Sequence, residues 1–275
     1  MKLVHLAHKL SYSAWYILPS YHRTLLESVK DWETTVGSAK QEELADMAAF
    51  FINQRAPMEI DSNGIATINI SGALGRNLAP IDKVLGMSDY ADIENEVVEA
   101  GEKGAIAVLF DVDSPGGEVQ GTAETAQIIA GLTVPTASFS AGLDASAAYY
   151  LSSSVNRKFA TPSSIIGSIG TILPWIDSAK MFDAFGLSWE PIVGEGEDFK
   201  GAGMGPSLTD SQREYLQETV NAASGAFQKF VSQNRNLNFE KLKAGAYHGE
   251  QALKLNLIDQ IGSYDDAYQY LIGRT

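Results

Sequence analysis

The sequence contains no cysteine, four histidines and far fewer basic than acidic residues. Without cysteine the chain can form neither a disulfide framework nor a cysteine-based zinc, iron–sulfur or thiol-nucleophile site. The 20 basic residues against 34 acidic ones give a net charge of −14, which argues against a nucleic-acid partner. Any Ser-His-Asp triad must draw on His5, His8, His22 or His248, so hydrolytic chemistry here is expected to need a different base.

Long hydrophobic runs are also missing. No stretch approaches the roughly 18–20 consecutive apolar residues of a membrane-spanning helix. The apolar start of the chain is interrupted by His8, Lys9 and Ser11, whereas a secretory signal has a continuous apolar core. We therefore expect no membrane span and a cytoplasmic location. The 275 residues suffice for one large domain with a sizeable core.

Buried-type strands alternate with helices along most of the sequence. Residues 105–112 (AIAVLFDV) are almost continuously apolar, as in a parallel strand covered on both faces. The pattern predicts helices over 38–55, 89–103, 117–132, 145–155, 177–186, 209–235, 239–244 and 249–256 and from 263, and further strands over 134–141 and 188–194. This order predicts an α/β fold with a mainly parallel sheet flanked by helices. We find no internal sequence repeat, and we place a helical N-terminal appendage at 1–56 and the main domain at 57–275.

Glycine-marked turns follow several predicted strands, where open α/β sheets place their sites. The first turn is 114–117 (SPGG), whose glycines can free N–H groups for a ligand or simply form a turn. Ser146 lies at a strand-to-helix junction among small residues, where it can meet a substrate or cap the helix. A third turn is 167–170 (GSIG), and Lys200 lies in a glycine-rich loop, the position of an ordinary solvated lysine.

Asp111 lies in the predicted strand 105–112 and Asp113 directly follows it, and alternate residues point to one face, which is compatible with a metal site. No third ligand follows from the pattern, so we predict no metal and no cofactor.

Taken together, these segments resemble the S49 serine peptidases, the signal peptide peptidase A family. The shared order is S-P-G-G, a serine followed by Tyr149-Tyr150, G-S-I-G, and a lysine in a glycine-rich loop. Residues 247–267 also resemble the family's C-terminal signature, so the likeness covers roughly 60–270. The resemblance implies a ClpP/crotonase-like fold, a Ser-Lys dyad and a homo-oligomeric ring.

Carried over residue by residue, the resemblance implies Ser146 as the nucleophile and Lys200 as the general base. The backbone N–H groups of Gly117 and Ala147 would form the oxyanion hole, and the hydroxyl of Ser168 would orient the lysine. A lysine amine acts as a base only where burial lowers its pKa from about 10.4 toward neutrality. Acidic residues precede Lys200, and we expect them to point away from it, because a nearby carboxylate would oppose that shift.

The sequence departs from the family where Ala147-Ala148 replaces the usual Gly-Gly after the nucleophile. Alanine keeps its N–H but narrows the backbone freedom. We expect no membrane anchor, as in the soluble phage and prophage members of the head-maturation (capsid protein C) type. The N-terminal segment also resembles that of these members. The resemblance thus implies an endopeptidase acting on capsid scaffold or portal proteins. The alternatives are a cytosolic peptidase that degrades signal or membrane peptides, and a catalytically inactive assembly subunit.

Overall fold

The computed structural model describes residues 9–35, 57–79, 82–83, 85–188, 190–202 and 207–275. The strands are β1 (Trp15–Ile17), β2 (Glu59–Ile60), β3 (Ile65–Ser71), β4 (Ala73–Gly75), β5 (Met87–Asp89), β6 (Ala107–Asp113), β7 (Gly116–Glu118), β8 (Thr136–Ser140), β9 (Leu143–Ala145), β10 (Arg157–Ala160), β11 (Ile165–Gly167), β12 (Ala246–His248) and β13 (Gln260–Ile261). The helices are α1 (Pro19–Thr35), α2 (Tyr90–Glu102), α3 (Thr122–Ala130), α4 (Ala147–Ser152), α5 (Ala179–Ala184), α6 (Asp210–Ser232), α7 (Phe239–Leu242), α8 (Gly249–Lys254) and α9 (Tyr264–Ile272).

A six-stranded sheet in the order β13-β10-β8-β6-β3-β2 forms the centre of the fold. Its strands run parallel except for the edge pair β2–β3. Because successive strand residues face opposite sides, Phe110 of β6 enters the largest core cluster while Leu109 packs on the side of α9. Both faces are therefore buried, and the predicted mixed α/β class with a mainly parallel sheet flanked by helices is confirmed.

Two smaller sheets lie beside the central one, in the orders β1-β7-β4-β5 and β12-β11-β9. The chain repeatedly places a strand in the large sheet, then a short strand in a small sheet, then a helix. This sequence of elements occurs as β6-β7-α3 and again as β8-β9-α4. The turns that join the two strands of each unit therefore collect at one edge of the large sheet.

The N-terminal segment contributes directly to one of these small sheets. Strand β1 pairs antiparallel with β7, so that Tyr16 lies opposite Gly117. Trp15 is fully buried, and its indole N–H donates to the carbonyl of Lys9. The described part of the segment 1–56 is therefore joined to the sheet that contains the S-P-G-G turn. The domain boundary at residue 56 stays a prediction.

The element predictions differ from the structure in two places. Residues 117–132 do not form one helix, because Gly116–Glu118 pairs as a strand and α3 begins at Thr122. The strand predicted over 188–194 is wrong, because the described residues there form no ladder. The predicted helix 38–55 lies outside the described residues. By contrast, Thr209 and Gln212 form a capping box that starts α6 where it was expected.

Candidate active site

Ser146 lies on a sharp elbow between β9 and α4. Its backbone has φ 58° and ψ −116°, a conformation rare for a residue with a side chain. Such a residue stores about 1–3 kcal/mol of strain and persists only where the surroundings hold it. One constraint is the Ser146 N–H, which donates to the carbonyl of Gly167 at 2.7 Å. A strained serine between a strand and a helix is the geometry of a nucleophile elbow.

The Ser146 hydroxyl is fully buried and has no hydrogen-bond partner within the part of the chain that the structure describes. Ser146 is the N-cap residue of α4, but its hydroxyl makes no capping bond to the helix. Leaving a buried hydroxyl unpaired costs about 1–3 kcal/mol, so such a group calls for an explanation. One explanation is that this hydroxyl is kept available for a substrate and a general base.

The S-P-G-G turn passes directly beside Ser146. A Cβ atom on Gly116 would lie 2.1 Å from the carbonyl oxygen of Tyr16 and 2.9 Å from Cβ of Ser146, and Gly116 has φ +101°. Only glycine fits there. The Ser114 N–H donates to Leu143 O at 2.8 Å, which ties the turn to β9. The structure thus brings together two segments that the sequence analysis selected separately.

One oxyanion-hole candidate follows Gly116, the glycine that lies against Ser146, and the other follows Ser146 itself. Gly117 is the middle residue of β7, and Ala147 is the first residue of α4, where an N–H has no acceptor within the helix. Ser168 follows Gly167, whose carbonyl holds the Ser146 N–H, and it is itself buried with φ 54°. The roles of Gly117 and Ala147 in the oxyanion hole and of Ser168 in orienting the lysine stay predictions.

Lys200 lies away from the serine, in the 3₁₀ turn Asp198–Gly201. Its side chain is 78% exposed, and Nζ lies 3.7 Å from Oε2 of Glu197. The expectation that the preceding acidic residues point away is therefore wrong for Glu197. The turn is fixed to α6, because the Phe199 ring stacks on Tyr215 with 4.4 Å between centroids. Since the Ser146 hydroxyl has no partner among the described residues, the structure does not join Ser146 and Lys200 by a hydrogen bond.

A different serine and lysine do form a buried pair, which the sequence analysis missed. Nζ of Lys158 donates to Oγ of Ser152 at 2.5 Å and to Oδ2 of Asp144 at 2.6 Å. Burial lowers the pKa of the Lys158 ammonium, and the Asp144 carboxylate opposes that shift. Ser152 and Lys158 are both fully buried, as Ser146 is. The sequence signal for this buried pair was a lysine within a strand, because a lysine is rarely buried unless it is paired.

Comparison with known proteins agrees with this geometry. Residues 133–272 match the model of Peptidase family S49, which is slightly more than half of the chain. The chain belongs to peptidase family S49. The matched region includes Ser146, Ser168 and Lys200.

Three relatives illustrate the range of this S49 peptidase family. A protein of Methanocaldococcus jannaschii, provisionally named a protease, is 33% identical over 171 residues, covering 60% of this chain and 54% of its own. One of Enterococcus faecium, provisionally named signal peptide peptidase SppA, is 30% identical over 178 residues, covering 62% and 51%. Capsid assembly protease C of Escherichia phage lambda is 27% identical over 211 residues, covering 74% and 48%. The S49 chain therefore spans about half the length of these relatives. Among its described residues, no helix is both long and apolar enough to cross a membrane.

Proposed function

We propose that this S49 protein is a serine endopeptidase in which Ser146 is the nucleophile and Lys200 the general base. The observation that carries the proposal is the buried Ser146 hydroxyl, which has no hydrogen-bond partner among the described residues and lies on a strained elbow beside the S-P-G-G turn. The repeated strand–strand–helix units and the mainly parallel central sheet support the further proposal of a ClpP/crotonase-like fold, with the peptidase domain at 57–275.

In the proposed reaction, Oγ of Ser146 attacks the carbonyl carbon of a peptide bond while Nζ of Lys200 takes the hydroxyl proton. The N–H groups of Gly117 and Ala147 stabilise the resulting oxyanion. Lys200 then passes the proton to the leaving amine, the C–N bond breaks, and an acyl-enzyme remains. Water, deprotonated by Lys200, releases the acyl group as a carboxylate and restores the serine. In this scheme the Ser168 hydroxyl orients the amine.

Lys200 has to lose most of its contact with water before it can act as this base. It belongs to an arm, residues 173–202 without residue 189, that exposes large hydrophobic side chains. The exposed hydrophobic residues of the arm are Ile176, Met181, Phe185, Leu187, Ile192 and Phe199. Helix α5 within the arm has no buried residue. Exposed apolar surface of this kind is typical of an association site. We therefore include in the proposal a homo-oligomeric ring whose contacts cover the arm and exclude water from Lys200.

Assembly through the arm has a direct test. Phe185 and Ile192 are 74% and 94% exposed, so replacing both with aspartate leaves the fold intact. We expect Phe185→Asp/Ile192→Asp to shift the mass measured by light scattering down to the monomer value of 29.6 kDa. A control pair outside the arm, Val98→Asp/Leu253→Asp, should keep the wild-type mass. An unchanged mass in the arm variant would rule out this interface.

The substrate proposal follows the phage relatives. The alignment with capsid assembly protease C covers a longer part of this chain than the archaeal and enterococcal alignments do. We propose that the protein cleaves capsid scaffold or portal proteins, in the host cytoplasm or the phage prohead. The similarity to SppA supports the second candidate, degradation of signal or membrane peptides. The Ala147-Ala148 pair motivates a third, an inactive assembly subunit.

A fluorophosphonate probe tests the function. We expect the wild-type protein to be labelled once per chain, with peptide mass spectrometry locating the label on Ser146. Cleavage of a scaffold or portal protein, with little action on short apolar peptides, supports the capsid role, and the reverse preference supports peptide degradation. A correctly folded oligomer that neither labels nor cleaves is the inactive subunit.

A further inference from the structure

A buried network of polar groups lies directly beneath the serine elbow. Asp144 accepts from Nζ of Lys158 at 2.6 Å and from Oγ of Ser152 at 2.9 Å and 3.1 Å. Lys158 also approaches the ring of Tyr149, with 4.8 Å from Nζ to the centroid. Lys158, Asp144 and Ser152 are all buried, so the network is shielded from solvent.

Stability alone does not account for a charge pair at this depth. Removing an ammonium and a carboxylate from water is costly, and apolar residues of similar volume often replace such a pair with equal or greater stability. A better attested role of a buried polar group is specificity, because it can favour one arrangement of the surrounding structure over the alternatives. The question is therefore which arrangement the Lys158–Asp144 pair specifies.

The network includes residues on both sides of Ser146 in the sequence. Asp144 precedes Ser146 by two residues. Helix α4 starts directly after Ser146 and ends at Ser152. The Asp144–Ser152 bonds therefore close a ring around the strained residue. Lys158 holds both groups from β10, which is paired with β8 in the large sheet. The pair therefore links the segment 144–152 to the central six-stranded sheet.

We propose that Lys158 and Asp144 are positioning residues that hold the Ser146 elbow in its strained conformation. They act on the reactivity of Ser146 through the backbone and do not touch substrate. This inference rests on the proposed role of Ser146 as the nucleophile.

The first test neutralises the pair while keeping its volume, with Asp144→Asn/Lys158→Met. We expect a folded protein whose rate of fluorophosphonate labelling and kcat fall by about 10- to 100-fold, because small displacements of a reacting group are costly, while KM is unchanged. Ser152→Ala, which removes only the bridging hydroxyl, should lower the labelling rate in the same direction and covers the case in which the double variant does not fold. Wild-type labelling rates in the folded double variant, or in Ser152→Ala if only that variant folds, would overturn the inference.

A matched control comes from another ion pair, Arg76–Glu94, which is half-buried, has an N–O distance of 2.6 Å and lies on other elements. We expect Arg76→Met/Glu94→Gln to keep the wild-type labelling rate, whatever its thermal stability. An equal loss of labelling in this control at matched stability would show that destabilisation alone explains the result, and would overturn the positioning role.

A second readout does not depend on peptidase activity. Since the chain has no cysteine, Ser146→Cys introduces a single thiol at the elbow. Adding Asp144→Asn/Lys158→Met to Ser146→Cys should raise the rate of iodoacetamide alkylation at least about 10-fold, as the buried position opens. If the wild type is not labelled by fluorophosphonate but alkylation rises, the proposed function fails and the positioning role stands. If the wild type is labelled but alkylation is unchanged, the positioning role fails and the function stands.

Discussion

Ser146→Ala is expected to abolish both fluorophosphonate labelling and proteolysis, with a loss in kcat of about 10⁴-fold or more. Removing the nucleophile of a serine peptidase leaves only the contribution of the oxyanion hole and of substrate binding. The substitution removes a buried hydroxyl that has no partner in the described part of the chain, so the melting temperature should stay equal or rise. A gain in stability together with a loss of activity is typical of a strained functional site.

Ser140 provides a matched control for this experiment. It is buried on β8, and its hydroxyl also has no hydrogen-bond partner among the described residues. Ser140→Ala removes the same group from a similar environment away from the elbow, so we expect wild-type labelling. Full proteolytic activity in Ser146→Ala, measured on a protein substrate, would refute the assignment of the nucleophile.

Lys200→Ala is expected to lower kcat by about 10²- to 10⁴-fold, the range for loss of a general base. The lysine is 78% exposed and its ion pair with Glu197 is long, so its removal should leave thermal stability unchanged. Lys180, an exposed lysine on the same arm, gives the control variant Lys180→Ala, which should stay active. If Lys200→Ala retains the wild-type kcat, another group is the base.

The same variants also reveal how the lysine reaches the serine, which has no hydrogen-bond partner among the described residues. If a second copy supplies Lys200, a mixture of Ser146→Ala and Lys200→Ala proteins should regain activity, because some sites combine an intact serine with an intact lysine. If Lys200 reaches the serine of its own chain, the mixture stays inactive. Assay after subunit exchange, at concentrations where the oligomer forms, distinguishes the two.

The sequence alone was sufficient for the features that depend on local patterns. The apolar run 105–112 predicts a doubly buried strand, and β6 lies there with both faces covered. The sequence pattern also predicts a helix from residue 209, and α6 begins there with a capping box that joins residues only three positions apart. The order of the glycine-marked turns carries the resemblance to the S49 peptidases, and that resemblance directs attention to Ser146 and Lys200.

Only the tertiary structure decided which distant residues meet. Gly116 lies against Ser146 because β1 and β9 converge on one turn, and Asp144 of β9 is paired with Lys158 of β10, a strand of a different sheet. Neither contact can be predicted from a local sequence pattern. Each joins residues whose separation along the chain is unrelated to helix or strand periodicity. The exposed position of Lys200 likewise follows from how its turn packs on α6. The sequence thus determined which residues can carry the chemistry, whereas packing determined that the serine is held under strain and its expected base lies apart from it.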